Sequence, residues 1–387
     1  MESLLYKFNP WWETEYVCST HIRSRYLDQL MAQLSTKDIM FLTGLRRVGK
    51  TTLLQHVISH LVNSGDPKHV LYVSLDSLAL RDYTIHEIID TYRQLMRFTT
   101  TEFIYVFLDE VTAKTDFNQE LKNLYDLGNI KLFVSSSSAS QLHEKKAYLT
   151  GRARYIEIEP LSFQEFLQFR NYSVAKKDAH LLNSYFREYM EIGGMPEYVL
   201  EKDPRYISDV VQNILYKDII AKYNIKNSEK VIDLFRLLVE RVGKPISYVR
   251  LANILDISKD SVQQYISYFI ETFLFYKIEM QGKLNERIKG PKKIYCADVG
   301  IKNVVHGFKD LGAIYENLVF LELKARNTDF LKKIHFVYEG GIEIDFLYDG
   351  TLIEAKFGQE MTEKQQKLFD SFKAKHKIIA KGVDFFL

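Results

Sequence analysis

Short apolar runs recur along the first 160 residues, each bounded by polar positions. Residues 38–42, 70–75, 104–108 and 130–134 have the length and β-branched or aromatic content of buried strands. Between them apolar residues return at helical spacing, as Leu53, Leu54, Val57, Ile58 and Leu61 do after the first run. Such alternation predicts an α/β domain over 36–160, a parallel sheet covered on both faces. Ligands of such a sheet gather at the carboxyl ends of its strands, where Gly44, Asp109 and Ser135 fall. Residues 161–235 read as a helical lid, punctuated at Pro160 and at Gly193-Gly194-Met195-Pro196. Residues 1–35 form a lead-in whose Trp11 and Trp12 are expected to pack on a later domain.

Over 236–290 the pattern changes. A short helix spans 249–255, a tight turn follows with Ser258 as N-cap, and a second helix spans 261–270. Val262, Tyr265, Ile266 and Phe269 share one face of that second helix. A strand at 274–278 and a basic segment (Lys283, Arg287, Lys289, Lys292, Lys293) complete what reads as a winged helix. Lys259, Gln263 and Gln264 are its outward candidates for base contacts. The helix is poor in Lys and Arg, so a structural or protein-docking role stays equally open.

The last segment, 291–387, contains a hairpin. Asp349-Gly350 is a two-residue turn signal. Counting outward pairs Tyr348 with Thr351, Phe346 with Ile353 and Asp345 with Glu354. Strict alternation then puts Ile342, Ile344, Phe346, Ile353, Ala355 and Phe357 on one face, and Glu343, Asp345, Glu354 and Lys356 on the other. Facing carboxylates repel unless water or a cation intervenes. A divalent metal on Asp345 and Glu354, with Lys356 beside it, would make a hydrolytic site. A wetted charged face, with Glu343 and Lys356 as an ordinary pair, accounts for the residues equally well.

The most specific signal is Gly44-Leu45-Arg46-Arg47-Val48-Gly49-Lys50-Thr51-Thr52, which fits the phosphate-cradling G-x-x-x-x-G-K-[ST] between a strand and a helix. Its glycines let backbone N–H groups turn toward phosphate, and the helix N-terminus adds its dipole. Lys50 would reach the β- and γ-phosphates and Thr51 would hold Mg²⁺. Asp109 closes a strand and would complete the Mg²⁺ shell, with Glu110 beside it as general base. Ser135 to Ser138 offer hydroxyls near the γ-phosphate. Arg152 is a candidate arginine finger, in cis or toward a neighbour.

At 387 residues two or three domains are expected, and a formal net charge of +2 gives no global field for nucleic acid. Any DNA contact must come from local patches. Cys18 and Cys296 make neither a disulfide framework nor a metal spacing, which fits a reducing compartment. The N-terminus lacks an apolar signal core and no apolar run reaches membrane-spanning length. The expectation is a soluble cytoplasmic protein with no membrane partner, and with a protein partner or a second copy left open.

The segments GLRRVGKTTL, FLDE, LTGR, PLSFQEF, GGMPEYV, YKDII, YENLVFLEL and EIDF…IEAK together resemble a prokaryotic family of AAA+-like (STAND-type) predicted ATPases. The resemblance covers nearly all of residues 10–387. It implies ATP or ADP with Mg²⁺ at the N-terminal site, a winged helix, and a restriction-endonuclease-like PD-(D/E)xK domain at the C-terminus. It also implies a metal-dependent nuclease site on Asp345, Glu354 and Lys356, with Glu316 as a further acidic position on a helix over 312–326. One departure is visible: Ser136 stands where the family usually has a glycine before paired serines.

Overall fold

A computed structural model describes residues 1–138, 149–174, 178, 180–327 and 332–387. They form two compact units, Met1–Ile158 and Glu159–Leu387. The first is built on a five-stranded parallel sheet of β1 (Ile39–Thr43), β2 (Val70–Ser74), β3 (Ile104–Asp109), β4 (Ile130–Ser136) and β5 (Ala153–Glu157). Their order is β2-β3-β4-β1-β5. All of β1 and β4 is buried, as strands covered on both faces must be. β5 lacks a continuous apolar run because it is a half-buried edge strand, and the pattern of apolar positions gave no sign of it. Crossover helices, among them Lys50–Ser64 and Ile85–Met96, lie between the strands in sequence.

The lead-in packs on the α/β domain that follows it, as expected of Trp11 and Trp12. Trp11 and Trp12 are buried within the first unit, and both indole N–H groups donate to the Val70 carbonyl at 3.0 Å. Asn9 donates to the Tyr72 carbonyl at 2.9 Å and accepts from the Tyr72 N–H at 2.6 Å. Trp12 stacks on Tyr92. The reason is the position of β2 at the sheet edge, where backbone groups need partners or water. Residues 9–12 supply those partners.

The second unit contains a seven-stranded mixed sheet ordered β12-β11-β10-β9-β7-β8-β6. Its strands are β6 (Pro245–Ile246), β7 (Phe275–Met280), β8 (Lys292–Cys296), β9 (His335–Glu339), β10 (Ile342–Tyr348), β11 (Thr351–Lys356) and β12 (His376–Lys381). The expected boundary at 290 falls inside this sheet: β7 pairs antiparallel with β8 across it and parallel with β9. The two expected domains therefore share one sheet. The helices Tyr248–Leu255 and Lys259–Glu271 form as read, with the Ser258 hydroxyl accepting from the Ser261 N–H at 2.9 Å and Val262, Ile266 and Phe269 buried. Lys259, Gln263 and Gln264 are exposed. The basic segment is not a continuous outward patch. Lys292 and Lys293 are buried, and Arg287 is paired with Glu279 at 2.8 Å.

The glycine pair in the helical region has a packing role. A Cβ on Gly194 would stand 2.3 Å from the Leu161 carbonyl oxygen. The Asp298 carboxylate, the N-cap of the helix Val299–His306, accepts from the N–H groups of Gly194, Gly300 and Ile301. Burial nevertheless pushes its carboxyl up to about 6, because desolvation outweighs those donors.

Trp12→Ala should lower the stability of the first unit by about 3–5 kcal/mol in urea unfolding, as loss of a buried tryptophan does. An independent lead-in would leave the midpoint unchanged. Asp298 has a raised folded pKa, so its favourable contribution is complete below about 3.8 and is lost as pH rises through about 6. The second unit should lose on the order of 3 kcal/mol across that window, and Asp298→Asn should flatten the slope, read by unfolding at each pH.

Candidate functional site

The phosphate-type loop leaves β1 at Thr43 and enters the helix at Lys50. Gly44 has φ +133°, and a Cβ there would lie 2.2 Å from the Ile158 carbonyl oxygen, so only glycine fits. Gly49, at φ +96°, is the N-cap of the helix. Arg47 also takes a left-handed conformation. Lys50 is buried and its ammonium donates to the carbonyls of Gly44 and Leu45, each at 2.9 Å, which folds it back along the loop. Thr51 and Thr52 open the helix half-buried.

Asp109, at the end of β3, is the hub. Its Oδ2 accepts from the Thr51 hydroxyl at 2.6 Å and from the Tyr72 hydroxyl at 2.9 Å. Its Oδ1 accepts from the Ser135 hydroxyl. Ser135 in turn accepts from the Glu110 N–H at 3.0 Å. Glu110 sits at φ +52° and its Oε2 accepts from Ser137 at 3.1 Å. Ser136, at the departure from the family pattern, faces Thr112 at 3.3 Å. Burial and the Asp109 charge push the Tyr72 phenol far up, which keeps it a donor. A hydroxyl and a carboxylate converging beside a lysine give the oxygen donors that Mg²⁺ takes. Two members escaped the motif reading. Tyr72 lies on the neighbouring strand, and Arg23, which donates to the Val48 carbonyl at 3.0 Å, lies 27 residues before the Lys50 it helps to frame.

Arg152 is elsewhere. Its carbonyl accepts from the Ile39 N–H at the start of β1, and its guanidinium pairs with Asp126 at 3.4 Å. The five residues of β1 separate it from the loop by roughly 16 Å. The role in cis is thereby removed.

The second cluster lies in the second unit. The turn Asp349-Gly350 and the pairs Tyr348–Thr351, Leu347–Leu352 and Phe346–Ile353 form in the expected register. Strict alternation fails beyond them. A bulge against β9 falls between Ile344 and Leu347, and it re-aims the side chains around it. Ile344 and Leu347 consequently join one cluster with Val337, Leu352 and Phe369. Phe346 instead meets the rings of Tyr295 and Phe320.

Asp345 and Glu354 are buried, not wetted. Neither needs the other's repulsion screened by water, because each takes a backbone donor across the hairpin. The Asp345 N–H donates to Glu354 Oε2 at 3.1 Å, and the Ala355 N–H to Asp345 Oδ2 at 2.9 Å. Lys356 pairs with Glu354 at 2.8 Å, not with Glu343. Glu316, on the helix Leu311–Arg326, comes to the same place. Lys293 of β8, wholly buried, reaches Glu316 at 2.6 Å, Glu343 at 2.5 Å and Asp345 at 3.3 Å. The Tyr295 hydroxyl also donates to Glu316, at 2.7 Å. Burial, and then the Asp345 charge, raise the carboxyls of Glu316 and Glu354; burial also raises that of Glu343. Carboxylate oxygens of Glu316, Glu343 and Asp345 lie within 4.8 Å of one another. Glu343 is thus part of the cluster though the motif does not name it, and Lys293, one of the basic segment after the winged-helix strand, is part of it too. A cavity of about 270 Å³ opens beside Lys356, lined also by Phe357, Lys381 and Gly382. Among the described residues no helix is long and apolar enough to cross a membrane.

Residues 36–167 match a family model described as an AAA domain, and residues 183–312 match a domain of unknown function. The second match also runs across position 290. An uncharacterized protein of Methanocaldococcus jannaschii is 27% identical over 354 residues, 87% of this chain and 78% of that protein. One of Haemophilus influenzae is 26% identical over 377 residues, 91% of each. Among solved structures, a Walker-type ATPase of Pyrococcus abyssi is similar at 15% identity, covering 76% of this chain and 97% of that one, with a TM-score of 0.47. AMPPCP-bound DnaA of Aquifex aeolicus is similar at 17% identity, covering 66% and 92%, with a TM-score of 0.31. The matched AAA segment, the parallel sheet and the loop from Gly44 to Thr52 agree: residues 36–167 match the AAA domain model and have the fold of a P-loop NTPase.

Proposed function

We propose that the chain binds ATP with Mg²⁺, hydrolyses it, and couples the nucleotide state to a DNA-binding or nuclease-like C-terminal region. The observation that carries the first part is Asp109 holding the Thr51 hydroxyl at 2.6 Å beside the buried Lys50. When bound, Mg²⁺ would screen the charge on the terminal phosphates. The chain's own residues do the rest. The loop Gly44–Thr52 turns its N–H groups toward phosphate, and Lys50 leaves its two carbonyl partners to meet the terminal phosphates. Thr51 and Asp109 offer the metal's oxygen ligands. Glu110, steadied by Ser137, is placed to accept a proton from the attacking water. Ser135 links Asp109 to the Glu110 backbone, so metal ligand and base keep a fixed relation.

For the C-terminal region, support comes from Glu316, Asp345, Glu354 and Lys356 meeting at one place, as the resemblance to PD-(D/E)xK domains anticipates. A metal there would activate water and stabilise charge on a scissile phosphate. The helix pair 248–271, with Lys259, Gln263 and Gln264 outward, is the winged-helix candidate for DNA contact. A second reading is a nucleotide-state switch with a non-catalytic C-terminal region. The ammonium of Lys293 among the carboxylates favours it, since the cluster already has a cation.

Phosphate release from ATP should fall by about a hundredfold or more in Lys50→Ala. Arg152→Ala should fall far short of the roughly 10³ that an arginine finger supplies. Equal release from parent and Lys50→Ala would remove the ATPase reading. At Mn²⁺ above about 1 mM, cleavage of single- and double-stranded DNA by the parent should disappear in Asp345→Ala. No cleavage by the parent would leave the binding or switch reading.

A further inference from the structure

We infer that Lys293 is a tethered cation seated where a divalent metal would sit, so that metal enters the C-terminal site only when this ammonium withdraws. The inference deepens the nuclease-like reading and rests on it for the identity of the site.

The geometry leaves little space for both cations. Lys293 Nζ is 2.6 Å from Glu316 Oε1 and 3.3 Å from Asp345 Oδ1. A magnesium ion on those same oxygens would sit about 2.1 Å from each, in the volume the ammonium fills. Oxygens of Asp345 and Glu354 carry donors as well. Asp345 Oδ2 accepts from the Ala355 N–H, and Glu354 Oε2 accepts from the Asp345 N–H. Glu354 Oε1 takes Lys356 and the Gln365 amide. Glu316 Oε1 also takes Tyr295, and its Oε2 lies against Gly243, where a Cβ would come within 2.9 Å. Every carboxylate named for the metal therefore already has a donor on it.

The lysine is also held in place. Its strand, β8, lies between β7 and β6, and its side chain is wholly buried with the Tyr295 and Phe336 rings nearby. Water cannot replace the carboxylates as its partners without the site opening. The same burial makes its presence structural: carboxylates taken from water demand a cation or protons. A metal and the lysine are thus alternatives for one task.

The test is a Mn²⁺ titration of the full nucleotide-free chain by calorimetry, with thermal unfolding alongside. The parent should show no Asp345-dependent uptake below about 1 mM, judged against Asp345→Asn. Lys293→Met should bind Mn²⁺ at least tenfold more tightly, and the gain should vanish in Lys293→Met/Asp345→Asn. Mn²⁺ should raise the melting temperature of Lys293→Met and leave that of the parent unchanged, while Lys293→Arg should behave as the parent. Tight uptake by the parent that Asp345→Asn abolishes would overturn the inference, and this arm stands even if Lys293→Met does not fold. Equal affinity of parent and Lys293→Met would overturn it too. If Lys293→Met binds Mn²⁺ yet cuts no DNA, the tethered cation holds and the nuclease reading fails.

Discussion

A carboxylate removed from water has to be met by donors or cations, and the first unit is organised around one such demand. Asp109 closes β3 in a position only 5% exposed. It is met by hydroxyls from the helix after the loop, from the strand on one side and from the strand on the other: Thr51, Tyr72 and Ser135. Each comes from a different element, so the aspartate fixes the loop helix and two flanking strands against β3. Glu110 inherits its orientation from that arrangement, through its N–H on Ser135 and its carboxylate on Ser137.

The same demand is met differently in the second unit. There the carboxylates outnumber the hydroxyls near them, and the compensation comes from two ammonium groups, Lys293 and Lys356, with backbone N–H groups between. A bulge lies in β10 beside this cluster. With it, Ile344 and Leu347 both reach the apolar cluster, and the two residues between them are re-aimed.

What could be read from the sequence follows from how local each signal is. The strands β1 to β4, the loop 44–52, and the residues Asp109 and Glu110 are contiguous patterns, and their places in the parallel sheet agree with the reading. The hairpin register was likewise set by its turn, Asp349-Gly350. Features that depend on pairing between distant segments were not legible. β5 is an edge strand without an apolar run. The bulge at Asp345 arises from the pairing with β9, which periodicity within β10 cannot reveal. Lys293 reads as one more charge in a basic segment, because nothing in its neighbourhood announces that β8 becomes an inner strand of a seven-stranded sheet. Arg152 carried a functional reading on residue type alone, and the placement of its strand end removed the role in cis.

The seat taken by Asn9, Trp11 and Trp12 along β2 bears on how this protein can be dissected. A fragment begun at residue 36, where the matched AAA segment starts, would strip the backbone of Val70 and Tyr72 of its partners and uncover Tyr92. Such a piece would present a bare strand rim, the kind of surface that recruits other chains. The smallest nucleotide-binding fragment with an intact sheet must therefore begin upstream of Asn9, although the phosphate loop lies some distance further along the chain.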